Sequence, residues 1–100
     1  MYRYPRHDVT RWWIYIIRSQ TTDRLYTGIA LDPIARLSKH NKGKGAKCTR
    51  AGRPWRIVYL EEAPNKSLAL RRECEIKRLS RAEKLGLIEC TALEMLSPTG

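Results

Sequence analysis

Along the chain, hydrophobic and polar positions fall into short blocks. Trp12 to Arg18, WWIYIIR, is apolar at nearly every position and rich in strand-forming residues. A run apolar on both sides fits a strand covered on both faces, hence a central one. The polar stretch Ser19 to Asp23 is a turn, and Arg24 to Ile29 returns as a second strand. Gly28 lies near the end of that strand, where glycine often marks a close approach. Asp32 and Pro33 form a helix start, an acid at the cap and a proline at the first helical position. The spacing predicts a helix over Pro33 to Asn41, with Ile34 and Leu37 facing inward and Arg36 and His40 projecting from one side. Asn41 to Pro54 is a loop punctuated by three glycines. Trp55 to Leu60 alternates as a third strand. Asn65 or Ser67 caps a second helix through Ser80, with Leu68, Ala69, Arg72, Ile76 and Leu79 as its inward stripe. Ser80 to Glu83 is a capping box, so a third helix runs to about Ile88. The order ββαβαα is that of a small α+β domain with helices on a three-stranded sheet.

One hundred residues allow one domain with a modest core. We expect a domain over residues 12–90, between an N-terminal arm at 1–11 and a weakly ordered tail at 91–100. No apolar stretch approaches the roughly 20 residues of a membrane span, and the charged start is unlike a secretory signal. Cys48, Cys74 and Cys90 are odd in number and lack metal-type spacing, so we read them as free cytoplasmic thiols without a disulfide partner. Charge sharpens the picture. Net charge is +10, and from Arg36 to Arg56 there are eight basic residues and no acid. A one-sign block of this kind attracts polyanions rather than a membrane surface, since no amphipathic helix accompanies it.

Phosphodiester hydrolysis needs an activated nucleophile, a cation, a proton donor for the leaving oxygen and a hold on the phosphate. Glu73 and Glu75 are two apart on the second helix and so point in different directions. Glu73 is four before Lys77, the spacing of an ordinary surface pair. No paired-carboxylate motif is present. A metal held by one carboxylate plus water and phosphate oxygens would be of the Mg²⁺ type. Arg36 is a natural phosphate fork, and His40 shares its helix face. The loop NKGKGAK lacks the spacing of a nucleotide-binding loop and follows a helix, which rules that reading out.

Taken together, Tyr15 within WIY, Tyr26 and Gly28 within YTG, the run ARLSKHNKGKGAKCTR and the helix ALRRECEIKRL resemble the GIY-YIG nuclease signature. The likeness spans roughly Trp12 to Leu87 and is nearest to the small stand-alone bacterial members, relatives of the Slx-type structure-specific nucleases. The resemblance implies a three-stranded antiparallel sheet flanked by helices. It also implies one cleft holding Tyr15, Tyr26, Arg36, His40 and Glu73, with Glu73 binding Mg²⁺ or Mn²⁺. The chain departs from the pattern at Trp13, at Thr27, and in lacking an asparagine after the glutamate.

From this we expect a divalent-metal-dependent nuclease acting on DNA, structure- rather than sequence-selective, with RNA not excluded. In it Arg36 neutralises the transition state, Tyr15 helps deprotonate water toward His40, and Tyr26 orients water or phosphate. Gly28, Lys39, Asn41, Lys42, Lys44, Lys47, Arg50 and Arg53 are the expected nucleic-acid contacts, giving affinity without sequence choice. The alternatives are a nucleic-acid-binding module of the same fold with weak or no catalysis, and, more distant, an RNA- or ribosome-associated protein.

Overall fold

A computed structural model describes residues 11–96. The expected N-terminal arm lies almost wholly outside the described residues. Strands β1 (Trp12–Ser19), β2 (Leu25–Ala30) and β3 (Trp55–Ala63) form one antiparallel sheet in the order β2-β1-β3, so the apolar strand is central as expected. Its alternate residues feed two cores. Ile14 and Ile16 pack with Tyr59, Ala63, Ala69 and Ile76 on one side. Tyr15 and Ile17 pack with Ala30 and Trp55 on the other. Helix α1 (Pro33–Asn41) brings Leu37 to the second cluster, while α2 (Lys66–Lys77) and α3 (Arg81–Leu96) cover the first.

The caps follow local chemistry. The Asp32 carboxylate accepts from the Ala35 amide at 3.1 Å, and Asn65, not Ser67, caps α2 by accepting from Leu68 at 2.9 Å. Ser80 and Glu83 exchange the two hydrogen bonds of a capping box.

Several expectations need correction. Strand β3 continues three residues past Leu60 because Glu61, Glu62 and Ala63 pair with the start of β1. Their acids are tied down by cations: Arg72 grips Glu61 at 2.9 Å, and Arg11 meets Glu62 at 2.9 Å. Arg72 therefore works as an ion-pair link from α2 to β3. Helix α2 stops at Lys77, and α3 runs to Leu96, well past Ile88 and into the stretch expected as a loose tail. Gly86 does not end α3, because the segment beyond it is built of good helix formers. Ile34 and Leu68 are not inward: they are 55% and 41% exposed. In α1 the buried positions are instead Pro33 and His40, one at each end of the helix.

Between Ile16 and Ile17 the β1–β3 register slips by one residue, leaving Val58 extra on β3. The β1–β2 turn is organised by Ser19, whose hydroxyl accepts from the Thr21 and Thr22 amides and donates to Gly52 O. Asp23 closes the turn at φ 66, a left-handed conformation that aspartate tolerates.

Candidate active site

The strand pairing sets Tyr15 directly against Gly28. A Cβ at position 28 would lie 2.5 Å from the Tyr15 hydroxyl oxygen, so the absent side chain is the space that the phenol occupies. Gly28 is buried under this ring and does not face outward as a nucleic-acid contact would. Tyr26, two residues earlier on the same face of β2, lies with its ring centroid 6.5 Å from that of Tyr15. Tyr15 is buried and forms part of the core, whereas Tyr26 is half-buried. Both phenols therefore pack, and both also border the same polar group.

That group is His40, fully buried at the end of α1. Its ring centroid lies 5.3 Å from Tyr26, and its Nε2 is 2.9 Å from the Tyr15 hydroxyl. Its Nδ1 is 2.8 Å from the Thr49 hydroxyl. Proton accounting fixes the tautomer. Thr49 donates its one hydroxyl proton to Ala46 O at 2.7 Å, so toward His40 it can only accept. Nδ1 must then carry the hydrogen. In neutral imidazole Nε2 is left as the acceptor, and Tyr15 donates to it. The Arg36 guanidinium in turn acts on the Tyr15 hydroxyl, drawing its pKa down. Burial pushes the Tyr15 phenol up to about 12, against the opposing pull of Arg36. Burial, and then the Arg36 charge, pushes His40 below its usual range. The pair thus rests as neutral phenol and neutral imidazole joined by a directed hydrogen bond. Burial also raises the Tyr26 phenol.

Glu73 enters from α2. Its side chain is 17% exposed and pairs with Lys77 Nζ at 3.4 Å. The surface pair anticipated from spacing exists, yet its carboxylate is recessed, and its charge acts on both Tyr15 and Tyr26. Tyr15, Tyr26 and His40 are in contact, the Arg36 charge acts on all three, and Glu73 reaches the two tyrosines through its charge. Among the described residues no three His, Cys, Asp or Glu side chains gather as a metal cage. A lone recessed carboxylate with phenolic oxygens nearby nevertheless fits a hard cation that keeps most of its water.

Sequence reasoning missed four members of this neighbourhood. Thr49 sits in a 3₁₀ turn (Lys47–Thr49) within a stretch read as plain loop, and is fully buried against His40. Gly45 lies so near the His40 ring that a Cβ there would overlap Nδ1. Lys77 and Cys48 both act electrostatically on Tyr26. Only the glycine spacing of the loop could have signalled any of them.

The basic loop lies beside this group. Lys39, Lys42, Lys44, Lys47, Arg50 and Arg53 are exposed. Arg53 also donates from Nε to Arg50 O at 2.9 Å, which braces the loop. Asn41 differs from expectation. Its amide accepts from the Trp55 backbone N–H at 2.6 Å and donates to the Trp55 carbonyl at 3.0 Å, so both ends hold β3 against α1. Arg56, the last of the basic block, lies on β3 as expected and pairs in register with Arg18 on β1.

The model of the GIY-YIG catalytic domain matches residues 11–85. A UPF0213 protein of Staphylococcus aureus strain Mu3 is 48% identical over 77 residues, covering 77% of this chain and 93% of that protein. The UPF0213 protein of strain N315 matches to the same extent. A UPF0213 protein from Bacillus halodurans, solved by solution NMR, is 39% identical with a TM-score of 0.52, covering 80% of this chain and 84% of that one.

Proposed function

The chain belongs to the GIY-YIG catalytic-domain family, a nuclease-type family, and from that premise we propose that it is a divalent-metal-dependent nuclease that hydrolyses phosphodiester bonds in DNA. The observation that carries this reading is the directed bond from the Tyr15 hydroxyl to His40 Nε2, with the far nitrogen of the ring committed to Thr49. A phenol this far above neutrality is no standing base. It can still pass a proton: as Tyr15 accepts a hydrogen from water, it releases its own to His40 Nε2. The hydroxide so formed attacks phosphorus, and the bond to the leaving oxygen breaks. Burial and Arg36 disfavour imidazolium, so His40 Nε2 hands the proton back to the Tyr15 oxygen as Tyr15 releases its own to water, and the leaving oxygen takes its proton from water. Arg36, acting on the Tyr15 hydroxyl, neutralises negative charge growing on the phosphate. Tyr26, half-exposed beside both rings, orients water or phosphate. Glu73 would hold Mg²⁺ or Mn²⁺. Such an ion supplies charge neutralisation at the phosphate and at the leaving oxygen. The exposed lysines and arginines of the loop grip the backbone without reading bases, so selectivity falls on substrate structure.

The near-complete burial of Tyr15 favours one other reading, a binding module in which the tyrosines serve only as packing. Incubating the purified chain with nicked, branched, single-stranded and duplex DNA in Mg²⁺, Mn²⁺ or EDTA decides between them. Metal-dependent cleavage, abolished by EDTA and by Tyr15→Phe, is expected. Tight binding without cleavage of any substrate would establish the module.

A further inference from the structure

The hairpin end of the sheet carries a second charged cleft that the tyrosine site does not use. It holds about 500 Å³ and is lined by Arg18, Ser19, Gln20, Thr21, Asp23 and Arg56. Arg18 grips Asp23 with two hydrogen bonds, at 2.6 and 3.0 Å. Arg81, at the start of α3, reaches the same carboxylate at 3.0 Å. The charge of Arg56 also falls on Asp23, yet among the described residues its guanidinium makes no hydrogen bond or ion pair of its own. Three guanidinium groups thus share one carboxylate, and two positive charges are left over. Arginine forks held in place in this way match phosphate oxygens.

The position of the cleft gives it meaning. Tyr15 and Ile17 face the α1 side, while Ile14 and Ile16 face α2 and α3. Strand alternation therefore puts Arg18 on the α2/α3 side, with its register partner Arg56 beside it. Arg18 lies three residues beyond Tyr15, about 10 Å along the strand. The turn is also bolted to the basic loop. Ser19 Oγ donates to Gly52 O at 2.6 Å, and the Gln20 amide donates to Pro54 O at 2.9 Å. Positive surface thus continues from the loop beside the tyrosines around the sheet end to the opposite side. A straight duplex seated on the tyrosine side cannot also turn the corner to reach Arg18 and Arg56.

The geometry points to a second phosphodiester-backbone site at Arg18 and Arg56, which takes a diverging arm of a branched nucleic acid whose junction lies at the tyrosine cleft. This rests on the nuclease reading for the identity of the first site. The test compares a three-way DNA junction with a linear duplex of equal length, with binding measured in EDTA across a salt series. Each phosphate contact contributes about 0.9 to the log–log salt slope on duplex DNA. Arg18→Ala combined with Arg56→Ala should lower the slope on the junction by about 1.8 and leave the linear slope unchanged. Arg56→Ala alone breaks no ion pair, so it keeps the test valid if the double variant folds poorly; it should lower the junction slope by about 0.9. An unchanged junction slope, or an equal loss on both substrates, would overturn the proposal. Because binding is read without metal, an inactive enzyme would not mimic that result. Cleavage with an unchanged junction slope would leave the nuclease reading standing and remove the second site alone.

Discussion

Tyr15 shows how little room separates packing from chemistry at one residue. Its ring fills the space left open by Gly28, and its hydroxyl bonds His40 under the influence of the Arg36 charge. The tyrosines and the histidine were legible as residue types. Thr49 was not, because a threonine within a loop, four residues past Gly45, has no pattern of its own until the fold brings it to Nδ1. Thr49→Val keeps the shape and removes the acceptor, so the imidazole should shift toward the Nε2–H tautomer, visible in its ¹⁵N NMR shifts. Cleavage should fall by about 10²–10⁴-fold, the range of general acid–base effects, and Thr49→Ser should restore it. An unaltered tautomer in Thr49→Val would refute the assignment. The protonation of His40 also gives a pH dependence. Its folded-state pKa lies below the usual 6.5, so the unfolded chain binds more protons near that pH. Stability is therefore full above pH 6.5 and declines as pH falls below it, and the acid limb of the cleavage profile lies below 6.5 as well. Denaturation at pH 5.5 and 7.5 checks the sign, with His40→Gln as the control that removes the titrating group. Thr27 stands where the signature has isoleucine, and its hydroxyl is buried without a hydrogen-bond partner among the described residues. Thr27→Val should stabilise by about 1 kcal/mol and raise Tm by roughly 4–8 °C in thermal unfolding.

At the scale of elements, the central strand, α1 and the capping box of α3 were readable because each has a local cause: continuous apolarity, an aspartate–proline start, and a reciprocal cap. Boundaries set by distant partners were not readable. The last residues of β3 look like an acidic exit until they pair with the start of β1 and meet Arg72 and Arg11. Asn41 looks like a loop polar residue until its amide is seen bridging to Trp55. The basic loop remains the expected grip on the phosphate backbone. Replacing Lys42, Lys44 and Lys47 by alanine should flatten the log–log salt dependence of duplex binding by up to about 2.7. All three side chains are exposed and belong to neither core cluster, so the melting temperature should stay close to that of the parent. An unchanged slope would place the interface on another surface.

Across the whole molecule, helices cover both faces of one sheet, and the tyrosine–histidine cluster lies on the α1 side of β1 and β2. Helix α1 supplies Arg36 and His40, and the charge of Glu73 on α2 bears on both tyrosines. The sequence carried this convergence only as a family likeness, since residues 15, 26, 36, 40 and 73 have no common spacing that a local argument could use. Glu73 is the residue on which the account turns. Its neighbour Lys77 supports a plain ion pair, while its recessed carboxylate and its influence on both tyrosines support a metal ligand. The direct measurement is DNA binding and cleavage by Glu73→Gln, set beside the parent protein in Mg²⁺ and in EDTA. The substitution keeps size and removes the charge that would hold the cation. The account predicts that binding is normal or tighter, because one negative charge has left a basic surface, and that cleavage is lost. Cleavage that survives both Glu73→Gln and EDTA would contradict it.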